Sequence, residues 1–201
     1  MSDAGLFELI EAIRARDSAR ALSLLAAQPA LARAAFTVNG NFPRPIGAYF
    51  YKGDTALHFA ANAYVTEVAR ALIAAGADVR ARNRRGHEPL HLAASGQPDQ
   101  PGWNPTAQTE TIRLLIAAGA DANATYSGGV TPLHRAVRCR CAEAVKALLA
   151  HGANPKARNE AGSSAWKLAH HTTGRGGSGS PEAKAEQAEI LAILAPFADA
   201  A

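Results

Sequence analysis

The sequence predicts an all-α solenoid, a row of helix-turn-helix units stacked in line and joined by hairpin-like loops, and three observations carry that prediction. The chain matches itself at a set spacing: Leu57 to Leu90 is 33 residues, Leu90 to Leu133 is 43 and Leu133 to Trp166 is again 33. Within a unit the apolar residues recur at helical intervals, with Leu57, Ala60 and Ala61 on one short helix and Val68, Leu72 and Ile73 on a second. A glycine (Gly76, Gly119 or Gly152) then stands where the second helix must stop, because glycine takes the left-handed C-terminal conformation without a steric penalty.

Taken in order, residues 1–35 read as a helical N-terminal cap. The opening MSDAGLFELIEAIRARD has acidic residues early and no long apolar core, so it is an amphipathic helix rather than a secretory signal. Residues 36–53 are an aromatic-rich connecting loop with five of the twelve Phe, Tyr and Trp residues; its rings either cap the first unit or form an exposed contact patch. Residues 54–86 are the first repeat and 87–129 the second. Gly76 to Gly119 is 43 residues whereas Gly119 to Gly152 is 33, which places a ten-residue insertion of the second repeat between Ala94 and Thr111. Residues 130–162 are the third repeat, and 163–201 a divergent C-terminal cap with a Gly-rich insertion, where Trp166 to Ile190 spans 24 residues against 11 from Leu57 to Val68. Both insertions end alike: Asn104-Pro105 and Ser180-Pro181 pair an N-cap side chain with a proline at the first helical position, so each outer helix should begin early and run long.

The repeats carry Thr55-Ala56-Leu57-His58, Glu88-Pro89-Leu90-His91 and Thr131-Pro132-Leu133-His134, and end in Gly76-Ala77-Asp78, Gly119-Ala120-Asp121 and Gly152-Ala153-Asn154. In both motifs the chain resembles the ankyrin repeat family over residues 51–160. Ser164-Ala165-Trp166-Lys167 is a degraded fourth copy without the histidine, and residues 3–34 are a helix pair without the motif, as expected of terminal units with one face open to water. The order of GWNP, RAVRCRC and TGRGGSGSP also resembles a subgroup of bacterial ankyrin-repeat proteins, a likeness that implies no activity. The family resemblance implies noncatalytic protein binding through a concave face of hairpin tips and inner helices. It puts Tyr51, Lys52, Asp54 and Asn62 at partner-facing positions, then Arg84, Arg85, His87 and Ser95, then Ser127, Val130, Arg138 and Cys139. That face is modestly basic and suits an acidic protein surface, with Arg84, Arg85 and His87 as electrostatic contacts and Tyr51 as an aromatic anchor.

The edge shared by the two insertions and the RCRC turn carries Trp103 and Arg175, Gly176, Gly177, Ser178 and Ser180; either the loops fold down and seal it with Trp103 as an apolar plug, or they form a second, lateral surface. Glycines expose backbone N–H groups, the helix starting at Ser180 favours anions at its N-terminus, and Arg175 adds positive charge. The stretch lacks the G-K-[ST] ending of a nucleotide loop. Its two readings are a connector and a small-anion or phosphate site over Thr173 to Ser180; an enzyme using Arg175 and His171 on an anionic substrate is the remaining alternative.

Bulk properties narrow the classes. The length and 48% hydrophobic content suit a single domain burying about 70% of its unfolded surface. The net charge of +4 comes without a long basic block, so nucleic acid is not indicated, and no segment approaches the ~18 apolar residues of a membrane span. Two cysteines two positions apart build no disulfide framework, which points to a reducing, cytoplasmic setting; a monomer is expected. His58, His91 and His134 lie one helix layer apart and cannot share an ion; they are expected to hydrogen-bond between repeats. Cys139 and Cys141 with His170 and His171 match no zinc spacing, since positions two apart face differently on a helix. No catalytic residues, metal or cofactor are expected.

Overall fold

The computed structural model describes residues 4–42, 49–96, 103–170 and 180–198. Helices pair along the chain: α1 (Ala4–Arg14) with α2 (Ser18–Ala27), α3 (Ala56–Ala63) with α4 (Thr66–Ala74), α5 (Pro89–Ala93) with α6 (Pro105–Ala117), α7 (Pro132–Arg138) with α8 (Ala142–Ala150), and α9 (Ala165–Ala169) with α10 (Pro181–Leu194). The first of each pair packs on the first of the next, and the second on the second, giving an inner and an outer layer. The core runs between them as a ladder. Leu57, Leu90 and Leu133 occupy one row and Leu72, Leu115 and Leu148 another, all at most 1% exposed, while Ala60, Ala93 and Ala136 keep the inner helices close.

The local signals explain where helices start and stop. Thr55 Oγ1 accepts from the His58 amide and Thr131 Oγ1 from the His134 amide, satisfying donors that the first turn leaves open. Gly119 follows α6 with φ at 100°, a value that a side chain at that position would strain. Asn104 caps α6 through the Ala107 amide (3.0 Å) and Ser180 caps α10 through the Ala183 amide (3.1 Å). These helices reach 13 and 14 residues, against 9 for α4 and for α8, as the two Pro-led starts require.

The motif histidines stitch the layers together. The Thr55 amide donates to His58 Nδ1 (3.1 Å), which leaves the proton on Nε2, and Nε2 donates to the His87 carbonyl of the next unit (3.0 Å). His91 repeats this between the Glu88 amide (3.1 Å) and the Ala124 carbonyl (3.0 Å), and His134 between the Thr131 amide (3.2 Å) and the Ala157 carbonyl (3.1 Å). Burial holds the pKa of all three below that of a free imidazole, His91 at about 4.

The aromatic loop divides its rings between both expected roles. Phe36, Phe42 and Phe50 are buried with Phe7 and Phe59 in one cluster, Phe36 stacking on Phe50 at 4.1 Å between ring centres, whereas Tyr49 is 50% exposed. A short antiparallel ribbon, β1 (Gly40–Asn41) with β2 (Tyr49–Phe50), is the one sheet among the described residues, beside isolated bridges at Ala35 with Thr55 and Tyr126 with Val130. It needs Gly40, because the Phe50 ring covers that backbone and a β-carbon there would come within 2.5 Å of it.

Candidate functional site

Polar side chains lock each loop into a finger over the inner helices. Asn83 Oδ1 accepts from the amides of Arg85 (2.9 Å) and His87 (3.0 Å), while its Nδ2 donates to Asp54 Oδ1 (2.7 Å). The other oxygen of Asp54 accepts from the Tyr51 amide (2.8 Å). The Arg84 amide donates to the Lys52 carbonyl (2.7 Å), and Ser127 Oγ to the Arg85 carbonyl (3.4 Å), so successive fingers are bonded side by side.

Between the fingers and the inner helices lies a groove of about 830 Å³. Of the concave residues expected from sequence, Tyr51, Asp54, Asn62, Arg84, Arg85, His87, Ser127, Val130, Arg138 and Cys139 line it. Lys52 does not; it stands exposed on its finger, its amide donating to Asn39 Oδ1 (2.9 Å). Ser95 is not in the lining either, and its hydroxyl accepts from Arg135 Nε. Asp54 differs from the expectation of a partner-facing side chain. It is 4% exposed with both oxygens engaged, because a carboxylate at the finger base is the acceptor that Asn83 and the Tyr51 amide require.

Sequence reasoning missed Arg14, Tyr49, Tyr126 and Arg135 in the same lining. Arg135 follows the motif histidine directly, a signal within reach. Arg14 ends α1 in a pair without the motif, so nothing local marks it.

Charge in the groove is one-sided. Arg14, Arg84, Arg85, Arg135 and Arg138 line it against the single carboxylate of Asp54, and none of the five joins an ion pair among the described residues. Arg85 Nη1 donates to the Tyr51 hydroxyl (2.9 Å) with its guanidinium over that ring, and Arg135 Nη1 donates to the Tyr126 hydroxyl (3.3 Å). Arg14 Nε is buried with no hydrogen-bond partner among the described residues, and burial lowers its pKa from the ordinary arginine value. His87 packs edge-on against Tyr126 at 4.2 Å, and its Nε2 is likewise buried without a partner. Burial, then Arg135, His91, Arg85 and His58, hold His87 down to about 3, so the ring is neutral at physiological pH.

On the lateral edge, Trp103 is half-buried against the core, its Nε1 donating to Gln108 Oε1 (3.1 Å) while Gln108 Nε2 donates to the Ala93 carbonyl (2.9 Å). Ser180 is engaged as the α10 cap, and Arg175, Gly176, Gly177, Ser178 and His171 lie outside the described residues. Cys139 and Cys141 are free thiols, Cys141 buried with its Sγ on the Cys139 carbonyl, and His170 Nδ1 lies 2.9 Å from the Trp166 carbonyl. Among the described residues no three His, Cys, Asp or Glu side chains group closely enough to hold a metal ion, and no helix is long and apolar enough to cross a membrane.

Three family models match this architecture. Ankyrin repeats (3 copies) match residues 9–100, a single ankyrin repeat matches residues 85–126, and ankyrin repeats (many copies) match residues 115–169. The chain belongs to the ankyrin repeat family. The first match begins inside α1, so the helix pair that lacks the motif falls within the ankyrin profile as well. Ankyrin repeats are generally protein-protein interaction modules and are typically noncatalytic. A search of curated proteins found no match to the chain.

Proposed function

We propose that this ankyrin protein is a noncatalytic binding module that captures a protein partner in its concave groove. The observation that carries the reading is the groove's charge: five arginines face one carboxylate that is already satisfied by neutral donors. An acidic partner surface complements that field, with Arg84, Arg85, His87 and Arg138 as polar contacts, Tyr51 as the aromatic anchor, and Lys52 and Asn62 at the margins. Trp103 and Ser180, with Arg175, Gly176, Gly177 and Ser178, are a proposed second, lateral contact; small-anion binding over Thr173 to Ser180 is the alternative. Two free thiols favour a reducing, cytoplasmic setting, and a single stack favours a monomer.

Affinity capture from cell extract with mass spectrometry tests the reading, using the wild-type chain beside a variant carrying Arg84→Glu and Arg85→Glu. Both side chains are exposed, so thermal stability should hold while capture is lost. Undiminished capture by the variant would exclude the concave face.

A further inference from the structure

We infer that the groove, with Arg14, Arg135, Arg138 and His87 spread along its lining, is an anion pocket that seats successive carboxylates of an extended acidic peptide segment of the partner. The inference rests on the concave face being the partner-binding surface and adds the chemistry that the surface reads.

Three independent observations converge on this pocket. The guanidiniums lining the groove lack carboxylate partners among the described residues, so the folded chain holds several like charges together with no internal compensation. Two buried donor positions are also left open. His87 is only 6% exposed, lines the groove and has an Nε2 with no partner, and Arg14 Nε is in the same condition. Natural structures rarely tolerate an unpartnered buried polar atom; both donors are closed to solvent in the unbound chain, so an incoming oxyanion satisfies them only as the side chains covering them shift. The neutral imidazole can present an Nε2–H to such an oxygen, because its backbone amide and carbonyl are committed elsewhere and impose no tautomer on the ring. Arg138 is exposed and makes no hydrogen bond or ion pair among the described residues, so its guanidinium is available to form a bidentate contact.

The same groove is poorly suited to a nucleic-acid strand, the other polyanion that arginines attract. Single-strand binding depends on aromatic faces free to stack on bases. Here the Tyr51 ring lies under Arg85 and against Tyr49 (5.4 and 4.8 Å), and the Tyr126 ring is engaged by His87, His91 and Arg135 (4.2, 5.1 and 6.0 Å). Tyr49 is the ring that stays well exposed in the lining, so charge with little open stacking surface favours carboxylates on a flexible chain over a run of stacked bases.

The test is fluorescence anisotropy on the full chain with a labelled hexaglutamate peptide, a hexaglutamine control and a single-stranded oligothymidine of matched charge. Two variants are compared with wild type, Arg14→Met and Arg138→Met. Hexaglutamate should bind, weaken as salt rises and outcompete both controls, and each variant should lose about tenfold in affinity. Arg14→Met should keep or raise Tm, since it removes a half-buried charge that has no carboxylate partner among the described residues, whereas an arginine serving the fold would lower Tm when removed. Arg138→Met guards against misfolding, because its side chain is exposed. Equal binding of hexaglutamine, tighter binding of the oligonucleotide, or variants that bind as wild type would each overturn the pocket. If hexaglutamate fails while extract capture still depends on Arg84 and Arg85, the anion pocket falls and the concave binding face stands.

Discussion

His91 and His87 stand four residues apart in the same repeat, and the protein treats them in opposite ways. On the seam between repeats His91 has both ring nitrogens bonded, one to the Glu88 amide and one to the Ala124 carbonyl. In the groove, among the described residues, His87 has an Nε2 with no partner and the arginines around it lack acids. The seam histidines close their hydrogen bonds within the chain and therefore serve folding. Among the described residues the groove leaves donors and charge uncompensated, a cost in stability that the proposed acidic partner would offset by supplying the acceptors.

Acidification should stress this contrast most. His91 and His87 have folded pKa values of about 4 and about 3, and burial also depresses His58 and His134. The unfolded chain takes up protons near pH 6.5 while the folded imidazoles resist, so stability is full above about pH 6.5 and is lost as pH falls toward the folded values. Chemical denaturation at pH 7.5 and pH 5 should differ by about 2 kcal/mol from each of His91 and His87. An acidic peptide in the groove should offset the His87 share and leave the His91 share untouched. A denaturation midpoint independent of pH would mean that neither ring is buried neutral.

Substitution should separate the two rings next. His91→Ala strips partners from a buried amide and a buried carbonyl, and we expect a loss of about 3 kcal/mol in urea denaturation. His87→Ala breaks no side-chain hydrogen bond and should cost clearly less. Equal losses would erase the distinction between seam and groove.

A smaller effect tests whether the seam closes donors across repeats elsewhere. α8 has no side-chain cap of its own; Glu186 from α10 reaches across to accept from the Ala142 amide (2.6 Å). Glu186→Ala should cost about 1 kcal/mol, as loss of an ordinary N-cap does. The smallest effect belongs to the groove: Arg84→Glu with Arg85→Glu should shift stability by no more than ~0.5 kcal/mol per site in the same denaturation assay. A larger loss would make these arginines part of the fold.

Much of the architecture was legible along the chain because its causes are local. Leu57, Leu90 and Leu133 announced the inner row by spacing, the glycines after α4, α6 and α8 marked the stops, and Asn104-Pro105 and Ser180-Pro181 marked two early helix starts. The ribbon of β1 and β2 was not legible. Two-residue strands carry no periodic signal, and the pairing is held by Phe rings from α1, α3 and the loop itself. The groove divided similarly: motif alignment nominated the finger residues, while Arg14 and Tyr126 entered through contacts between distant segments.

By itself, then, the sequence determined the repeat length, the helix pairs, their caps and the place of the insertions, since each depends on residues within a few turns of one another. Only the tertiary structure decided that Asp54 turns inward as a brace, that Arg14 lines the same groove as arginines of the third repeat, and that His87 lines it with a buried nitrogen unpartnered among the described residues. Those outcomes depend on which surfaces meet when the pairs stack, and burial and charge compensation are properties of the stack rather than of any one segment.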